Sequence, residues 1–330
     1  FNLIEYYKQN SFINPNYIYT IPILLIAFFK IIFGSAWQLI FMIFNLILVF
    51  FSFVLFSKSL LILKVRPLVI SLGFLPLIIS IDLLTWPRFI LTDTIFLFIV
   101  LAVVFLIIKI IVKKTFYIYF LSFLMVLLFF TRPTSFPYIF AVIIFISFSK
   151  ISINYTPKFI VFIIFLIFVF TPFIFAFIYQ FIEIYLNNNP RAIFIIDKVE
   201  SGIIIHDRPE TWVDSPKTYF ELVNLYFKRL LFFFTPYLKN FSLIHNLLNL
   251  FQSFIIFASL ILWFCLGKKY DSENKTILFI LLISILVAGF HSFTLIDYDF
   301  RYRTPIIIPL LIIFPISVEI FVRKIDKIFF

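Results

Sequence analysis

The stretch "TDTIFLFIVLAVVFLIIKIIV", residues 92–112, carries one acid, Asp93, at its start and one base, Lys109, near its end, and is otherwise almost wholly apolar. About 20 apolar residues in a helix cross the roughly 30 Å hydrocarbon core of a bilayer. Similar runs recur along the chain. We therefore predict an all-α polytopic membrane protein, because a helix satisfies its own backbone hydrogen bonds in lipid.

The overall composition agrees with this interpretation. Of 330 residues, 63% are hydrophobic and 13% are charged, and the mean hydropathy is +1.14. Soluble domains carry about 25% charged residues, so the composition excludes a soluble globular domain. The net charge of +11 does not indicate nucleic-acid binding, because Lys and Arg occur in short clusters between apolar runs and not along one soluble face.

The basic clusters predict the topology. The candidate spans are 39–57, 67–86, 92–112, 116–131, 134–149, 158–181, 246–266, 275–293 and 304–322. With these nine spans five Lys/Arg clusters, at 58–66, 113–114, 150–158, 268–275 and 323–327, fall on one face, which the positive-inside rule assigns to the cytoplasm. Segment 20–34 is short and carries Lys30, so we predict an interfacial helix on the outer face.

The predicted spans divide the chain into four parts. Residues 1–38 are the remainder of a first external loop with a juxtamembrane helix, and 39–181 form a transmembrane bundle. Residues 182–245 form an external loop, and 246–330 hold the C-terminal spans. Within the external loop, from Tyr219 to Phe234, apolar and polar residues alternate at helical spacing. This pattern predicts an amphipathic helix that could cover a cavity.

Unusual polar residues collect on the predicted outer face. Asp93 opens a span, where it either caps the helix N-terminus or serves at the mouth of a membrane cavity to bind a divalent cation or position an acceptor. Asp82 lies nearby in "ISIDLLTW". The sequence around His206 and Asp207 indicates a polar loop with ion pairs more than a metal site.

Arginines on the same face point to an anionic ligand. Arg132 lies in "FFTRPTSFPYIF", residues 129–140, between two predicted spans. A guanidinium suits phosphate oxygens, although a snorkelling contact with lipid head groups is the alternative. Arg301 and Arg303 repeat the pattern in "DFRYRTPIIIPLLIIF", and their clustering favours one anionic ligand over separate lipid contacts.

Three motifs, "PRFILTDTIFLF" (87–98), "FTRPT" (130–134) and "RYRTPIIIP" (301–309), resemble those of the GT-C glycosyltransferases. That superfamily includes dolichyl-phosphate-mannose protein mannosyltransferases and bacterial aminoarabinose transferases of lipid A. Residues 19–50 also look like their juxtamembrane helix followed by the second span. The resemblance covers nearly the whole chain, and it is the order and predicted membrane side of the motifs that make it specific.

The resemblance implies a GT-C-like bundle that transfers a sugar from a polyprenyl-phosphate donor to a glycan, lipid or protein acceptor. The implied location is a bacterial inner (plasma) membrane, with the active site on the periplasmic or extracellular side. Asp93 matches the family's second acidic position, which binds a metal (Mg²⁺ or Mn²⁺) or positions the acceptor. Arg132 matches the residue that contacts the donor phosphate. The substrate-binding candidates are Arg132, Arg301, Arg303, Arg88 and Tyr302.

One departure from the family pattern concerns the main catalytic Asp. In the family it lies in the first external loop, just before the segment that corresponds to residues 3–22. This sequence has no Asp before Asp82, and Glu5 falls after the expected position. We therefore expect an N-terminal truncation that leaves the main catalytic Asp before Phe1, so that the chain as given is inactive.

Two other functions compete with sugar transfer. An O-antigen polymerase or ligase also has many spans, a large outer loop and outer arginines, but uses lipid-diphosphate glycans and does not require Asp93. A transporter or flippase tends to have repeats and interrupted spans near the midplane. We find no convincing repeat, and the polar residues lie at one interface.

Overall fold

All regular structure in the described part of the chain is helical. The computed structural model describes residues 18–80, 83, 85–113, 117–149, 155–186, 190–205, 208–237, 239, 241–267, 270–294 and 300–329. The α-helices are α1 (Thr20–Phe33), α2 (Trp37–Ile62), α3 (Pro67–Ile78), α4 (Asp93–Lys113), α5 (Ile118–Phe129), α6 (Ser135–Ser149), α7 (Pro157–Tyr185), α8 (Pro190–Glu200), α9 (Tyr219–Phe233), α10 (Leu243–Leu266), α11 (Asp271–Thr294), α12 (Phe300–Leu311) and α13 (Ile313–Phe329).

Six helical segments of the described chain are long and apolar enough to cross a membrane. They are Thr20–Ile62, Asp93–Lys113, Pro157–Tyr185, Leu243–Leu266, Asp271–Thr294 and Tyr302–Ile328. These segments identify an integral membrane protein with a polytopic helical fold. The prediction of nine full spans is not confirmed, because the apolar helices α3, α5 and α6 are shorter. A helix of 12 residues, such as α5, is only about 18 Å long.

Proline explains the largest differences between the predicted and observed helices. The predicted span 304–322 is two helices, α12 and α13, that meet at Ile312. Pro315 has no N–H for the carbonyl of Leu311, which would be its helical partner. Likewise α5 ends at Phe129, shortly before Pro133, because the residue before a proline avoids the α conformation.

Polar side chains occupy opposite ends of the bundle. On α11, Glu273 near the start and His291 near the end are separated by about 27 Å at the helical rise of 1.5 Å per residue. We call the end with Asp93, Arg132, His291 and Arg303 the Arg132 end, and the end with Arg66, Glu273, Glu319 and Arg323 the Glu319 end. Their separation matches the thickness of a bilayer core.

Helix α1 has both of its ends at the Arg132 end of the bundle. Its Ile21 N–H donates to the carbonyl of Phe130 at 3.1 Å. After Phe33 the chain passes through the 3₁₀ turn Gly34–Ala36 into α2. The Phe29 ring packs 5.5 Å and 5.3 Å from the rings of Phe41 and Phe44. This arrangement allows α1 to lie along the membrane surface, although its placement there stays a prediction.

The predicted amphipathic helix is present as α9. It packs against α7 and α11 and buries Tyr226, Arg229 and Phe233. Thr218 and Glu221 form a capping box at its start. The backbone N–H groups of Lys217 and Thr218 donate to the Glu221 carboxylate and hold its pKa below the ordinary value. Residues 219–233 thus form a helix that adds one buried face to the bundle.

Arg229 joins α9 to the segment before it. The side chain is fully buried. Its Nε donates to the Ile203 carbonyl at 2.8 Å and its Nη2 to the Lys198 carbonyl at 3.0 Å. Gly202 lies in this segment with φ +61°, and its carbonyl accepts from the Val213 N–H at 3.0 Å. One buried arginine therefore holds a compact turn against the bundle.

We expect Gly202→Ala to loosen this turn. A Cβ at Gly202 would lie 1.9 Å from the Val213 carbonyl oxygen, and the left-handed conformation costs about 1–2 kcal/mol for a residue with a Cβ. Limited proteolysis between Asp197 and Val213 measures the change. Gly34→Ala is the matched control, because Gly34 has φ +51° but a Cβ added there would have nothing within 4 Å. Equal resistance of the two variants to proteolysis in this segment would contradict this prediction.

Candidate functional site

A buried ion pair joins two of the predicted site residues. Asp93 begins α4, and Arg132 lies in the turn between α5 and α6, 39 positions further on. The Arg132 Nη1 donates to Asp93 Oδ1, and each side chain is only 6% exposed. A buried lone charge is costly, so each partner compensates the other. The burial argues against a snorkelling role for Arg132.

Aromatic rings enclose the Arg132 guanidinium. The ring of Phe96 lies 5.7 Å from it, and the ring of Tyr302 lies 5.4 Å from it. Such contacts stabilise a desolvated cation. The Arg132 Nε has no hydrogen-bond acceptor among the described residues. Tyr302, a predicted substrate-binding residue, is thereby placed directly beside the ion pair.

The sequence analysis did not single out His291, which extends the group of polar residues. The side chain is 1% exposed. Its ring lies 5.4 Å from Tyr302 and stacks on Phe233 at 5.2 Å. An ionisable residue within an apolar span is a functional candidate by default, and this signal alone could have identified it. We call Asp93, Arg132, Tyr302, His291 and Arg303 the polar cluster.

Arg303 joins the polar cluster through the Phe233 ring. Its guanidinium lies 5.6 Å from the Phe233 ring, on which His291 also stacks. It donates through Nη1 to the Thr235 carbonyl and through Nη2 to the Phe232 carbonyl at 3.3 Å. A helix leaves its last carbonyls without intrahelical donors. Arg303 therefore satisfies the end of α9 while it occupies the same end of the bundle as Arg132.

The other predicted site residues are not placed in the cluster. Arg88 lies in the 3₁₀ turn Trp86–Arg88, and its side chain is exposed. Arg301 lies in the first turn of α12, but its side chain is outside the described part. Residues Glu5, Asp82, His206 and Asp207 also fall outside the described residues. Substrate binding by Arg88 and Arg301 stays a prediction.

A cavity with a polar and an apolar half adjoins the polar cluster. This α10–α12 cavity has a volume of about 170 Å³. Its polar lining residues are Ser80, Asn249, Gln252, Ser253, Arg303 and Thr304. The apolar half is formed mainly by Ile256, Phe257, Leu260, Ile306, Ile307 and Leu310, and the end of α9 closes one side. Such a shape suits a ligand with a polar head and an aliphatic chain.

Thr304 connects this cavity with the ion pair. It lines the α10–α12 cavity and also borders a void of about 10 Å³ beside Asp93. A void of this size is near the lower limit for one water molecule. The carboxylate and the polar half of the cavity are therefore separated by little more than one threonine.

The described residues do not by themselves supply a metal site. No group of three His, Cys, Asp or Glu side chains among them could hold an ion. Mg²⁺ usually keeps several waters and binds through one or two carboxylates together with substrate phosphates. Asp93 offers one carboxylate, which faces the Arg132 guanidinium. Binding of Mg²⁺ or Mn²⁺ there stays a prediction, and we assign no chemical step to it.

No protein-family model, curated protein or solved structure matches the chain. These comparisons therefore provide no family and no activity.

Proposed function

We propose that the protein is a membrane glycosyltransferase that moves a sugar from a polyprenyl-phosphate donor to a hydroxyl or amine acceptor. The observation that carries this proposal is the convergence of Asp93, Arg132 and Tyr302, from three distant motifs, in one buried cluster. An amphipathic cavity adjoins that cluster through Thr304. An acid, two arginines and an amphipathic cavity suit this reaction.

The proposed chemistry follows from these charges. The bond between the anomeric carbon and the phosphate oxygen breaks, and the lipid phosphate leaves with an added negative charge. A preorganised guanidinium stabilises that charge. The acceptor attacks the anomeric carbon and loses its proton to a carboxylate. As the phosphate interacts with the Arg132 guanidinium, the Asp93–Arg132 pair weakens. The Asp93 carboxylate can then accept a hydrogen bond from the hydroxyl or amine of the sugar acceptor.

The proposal places the Arg132 end on the non-cytoplasmic side of a bacterial inner membrane. Its support is the charge distribution at the opposite end. The exposed bases Lys64 and Arg66 follow the segment Thr20–Ile62, and the exposed bases Lys324 and Lys327 lie in the last turns of the segment Tyr302–Ile328. Loops rich in Lys and Arg stay in the cytoplasm. A cysteine introduced by Lys324→Cys should react only with membrane-permeant thiol reagents in intact cells, in a background with Cys265→Ser.

Asp93→Asn should reduce transfer at least about a hundredfold, the lower range for loss of general acid–base catalysis. The assay uses the protein expressed from its own gene, reconstituted with a labelled polyprenyl-phosphate sugar and an acceptor extract. The amide keeps an oxygen that can accept from Arg132 but leaves the buried guanidinium without its counter-charge, so transfer is compared per folded molecule. Asp271→Asn at the other end of the bundle is the matched control, because Asp271 is 60% exposed and pairs only with Lys275 among the described ion pairs. Full transfer by Asp93→Asn would remove Asp93 from the mechanism.

One observation favours transport as the second candidate. The last membrane segment is interrupted at Ile312, about midway between Arg303 and Arg323, and interrupted helices near the midplane are common in transporters. Transport predicts substrate-dependent flux in proteoliposomes that contain no acceptor. Sugar transfer predicts product only when the acceptor is present, so one preparation distinguishes the two functions.

A further inference from the structure

We propose that the α10–α12 cavity holds the lipid phosphate of the donor, with the phosphate at Arg303 and the polyprenyl chain along α10. This inference rests on the proposed function for the class of ligand. It differs from the sequence-based expectation, in which Arg132 contacts the phosphate. The lining of the cavity, the hydrogen-bond donors in its polar half and its opening toward lipid each support it.

The polar half of the cavity is rich in hydrogen-bond donors. Arg303 and Gln252, each 4% exposed, lie in its wall. Asn249 Nδ2 is shielded from solvent and has no acceptor among the described residues. The described lining includes no acidic side chain. A buried amide without an acceptor is costly, and phosphate oxygens would satisfy it while they pair with the guanidinium.

The backbone contacts of Arg303 fix its orientation. Its hydrogen bonds to the Thr235 and Phe232 carbonyls hold the guanidinium at the wall of the cavity. Gln252 is held similarly, because its Nε2 donates to the Pro76 carbonyl at 2.8 Å. Both groups are therefore preorganised, which lowers the entropic cost of binding an anion.

The apolar half of the cavity suits one aliphatic chain. Its α10 residues, from Asn249 to Leu260, recur at intervals of three and four on one helix face and span about 16 Å. A cavity of about 150 Å³ is filled by one benzene molecule, so 170 Å³ encloses one chain segment and not two. Phe257 is 64% exposed, which leaves a lateral opening through which the rest of the chain continues into lipid.

This placement also locates the reacting bond. Thr304 separates the polar half of the cavity from the void at Asp93. A phosphate at Arg303 would direct the attached sugar past Thr304 toward Asp93 and Arg132. The two arginines then have different tasks. Arg303 binds the phosphate in the ground state, and Arg132 holds Asp93 near the sugar and meets the negative charge that develops as the phosphate leaves.

The test measures lipid binding without any acceptor. The protein from its own gene is placed in nanodiscs of neutral lipid, and binding of a long-chain polyprenyl phosphate is followed by native mass spectrometry. We expect the phosphate-free polyprenol and dioleoyl phosphatidate to bind at least about tenfold more weakly, and inorganic phosphate not to compete. Arg303→Gln should weaken binding about tenfold or more, the usual effect of losing a charge-assisted hydrogen bond.

Ser253→Phe keeps the test decisive if Arg303→Gln fails to fold. The new ring would fill the polar half of the cavity without removing a contact of Arg303, and should also weaken binding about tenfold. Lys239→Gln is the charge-matched control, because Lys239 is exposed. This variant should bind polyprenyl phosphate as the parent protein does. Normal binding by folded Ser253→Phe, or equal affinity for phosphatidate, would overturn the site. Binding as predicted with no sugar transfer would instead refute the proposed function and leave this site standing.

Discussion

Arg132→Met is expected to lower the free energy of unfolding by about 3–5 kcal/mol, the usual cost of removing one partner of a buried ion pair. The substitution keeps an unbranched side chain between Phe96 and Tyr302, so little packing volume is lost. What remains is the Asp93 carboxylate, 6% exposed, without the guanidinium that compensates it. Unfolding in detergent, followed by circular dichroism against temperature, measures the loss.

The double variant Asp93→Leu with Arg132→Met separates stability from function. Replacing both members of a buried pair by apolar residues is often neutral or stabilising, so we expect unfolding to return to within about 1 kcal/mol of the parent protein. Transfer per folded molecule should stay lost, because neither charge remains to act on the phosphate or the acceptor. Recovery of transfer together with stability would show that the pair has only a structural role.

The two residues of this pair illustrate how far the sequence alone could lead. Asp93 and Arg132 stand out because each interrupts apolar sequence at the edge of a span, and the positive-inside rule predicts that they share one face. Their direct contact was not predictable. It depends on how the α5–α6 turn packs against the start of α4, which no local pattern encodes.

Arg303 and His291 show what tertiary packing adds. Arg303 was predicted to bind substrate, and it does lie in the polar cluster, but its hydrogen bonds to the end of α9 come from a helix far away in sequence. His291 was not predicted as a site residue, because one histidine in an apolar run forms no local sequence motif. Its neighbours Phe233 and Tyr302 belong to other helices.

Two predicted spans, 67–86 and 304–322, do not form one continuous helix. Hydropathy averaged over a window records how apolar a segment is, but not whether its backbone can continue as a helix. Pro309 and Pro315 lie in a segment apolar enough to cross a membrane, yet α12 and α13 meet between them. Similarly, α3 ends at Ile78, two residues after Pro76, although the apolar sequence continues.

A second charged cluster, at the Glu319 end, connects three parts of the chain. Arg323 Nε donates to Glu319 at 2.9 Å and Nη1 donates to Glu273 at 2.8 Å. Its Nη2 also donates to the carbonyls of Leu63 and Lys64, at 3.2 Å and 2.8 Å, just after α2 ends. Lys64 has φ +59°, a left-handed backbone conformation that costs free energy for an L-residue. The hydrogen bonds from Arg323 therefore stabilise a strained helix end.

Arg323→Met should therefore cost about 3 kcal/mol in the free energy of unfolding, the low end for a broken buried pair. The Glu319 side chain, 3% exposed, and that of Glu273, 11% exposed, would lose their shared guanidinium, but Glu319 keeps its contact with Arg66. Polyprenyl-phosphate binding by the folded fraction should be unchanged, since Arg303 lies about 30 Å away at 1.5 Å per residue. Lys324→Met is the matched control, because it removes an exposed neighbouring charge and should cost under about 1 kcal/mol. Equal stability of the two variants would mean that water screens the cluster like a surface ion pair. A loss of lipid binding in folded Arg323→Met would mean that the two ends of the bundle are coupled, through the helices α11 to α13 that join them.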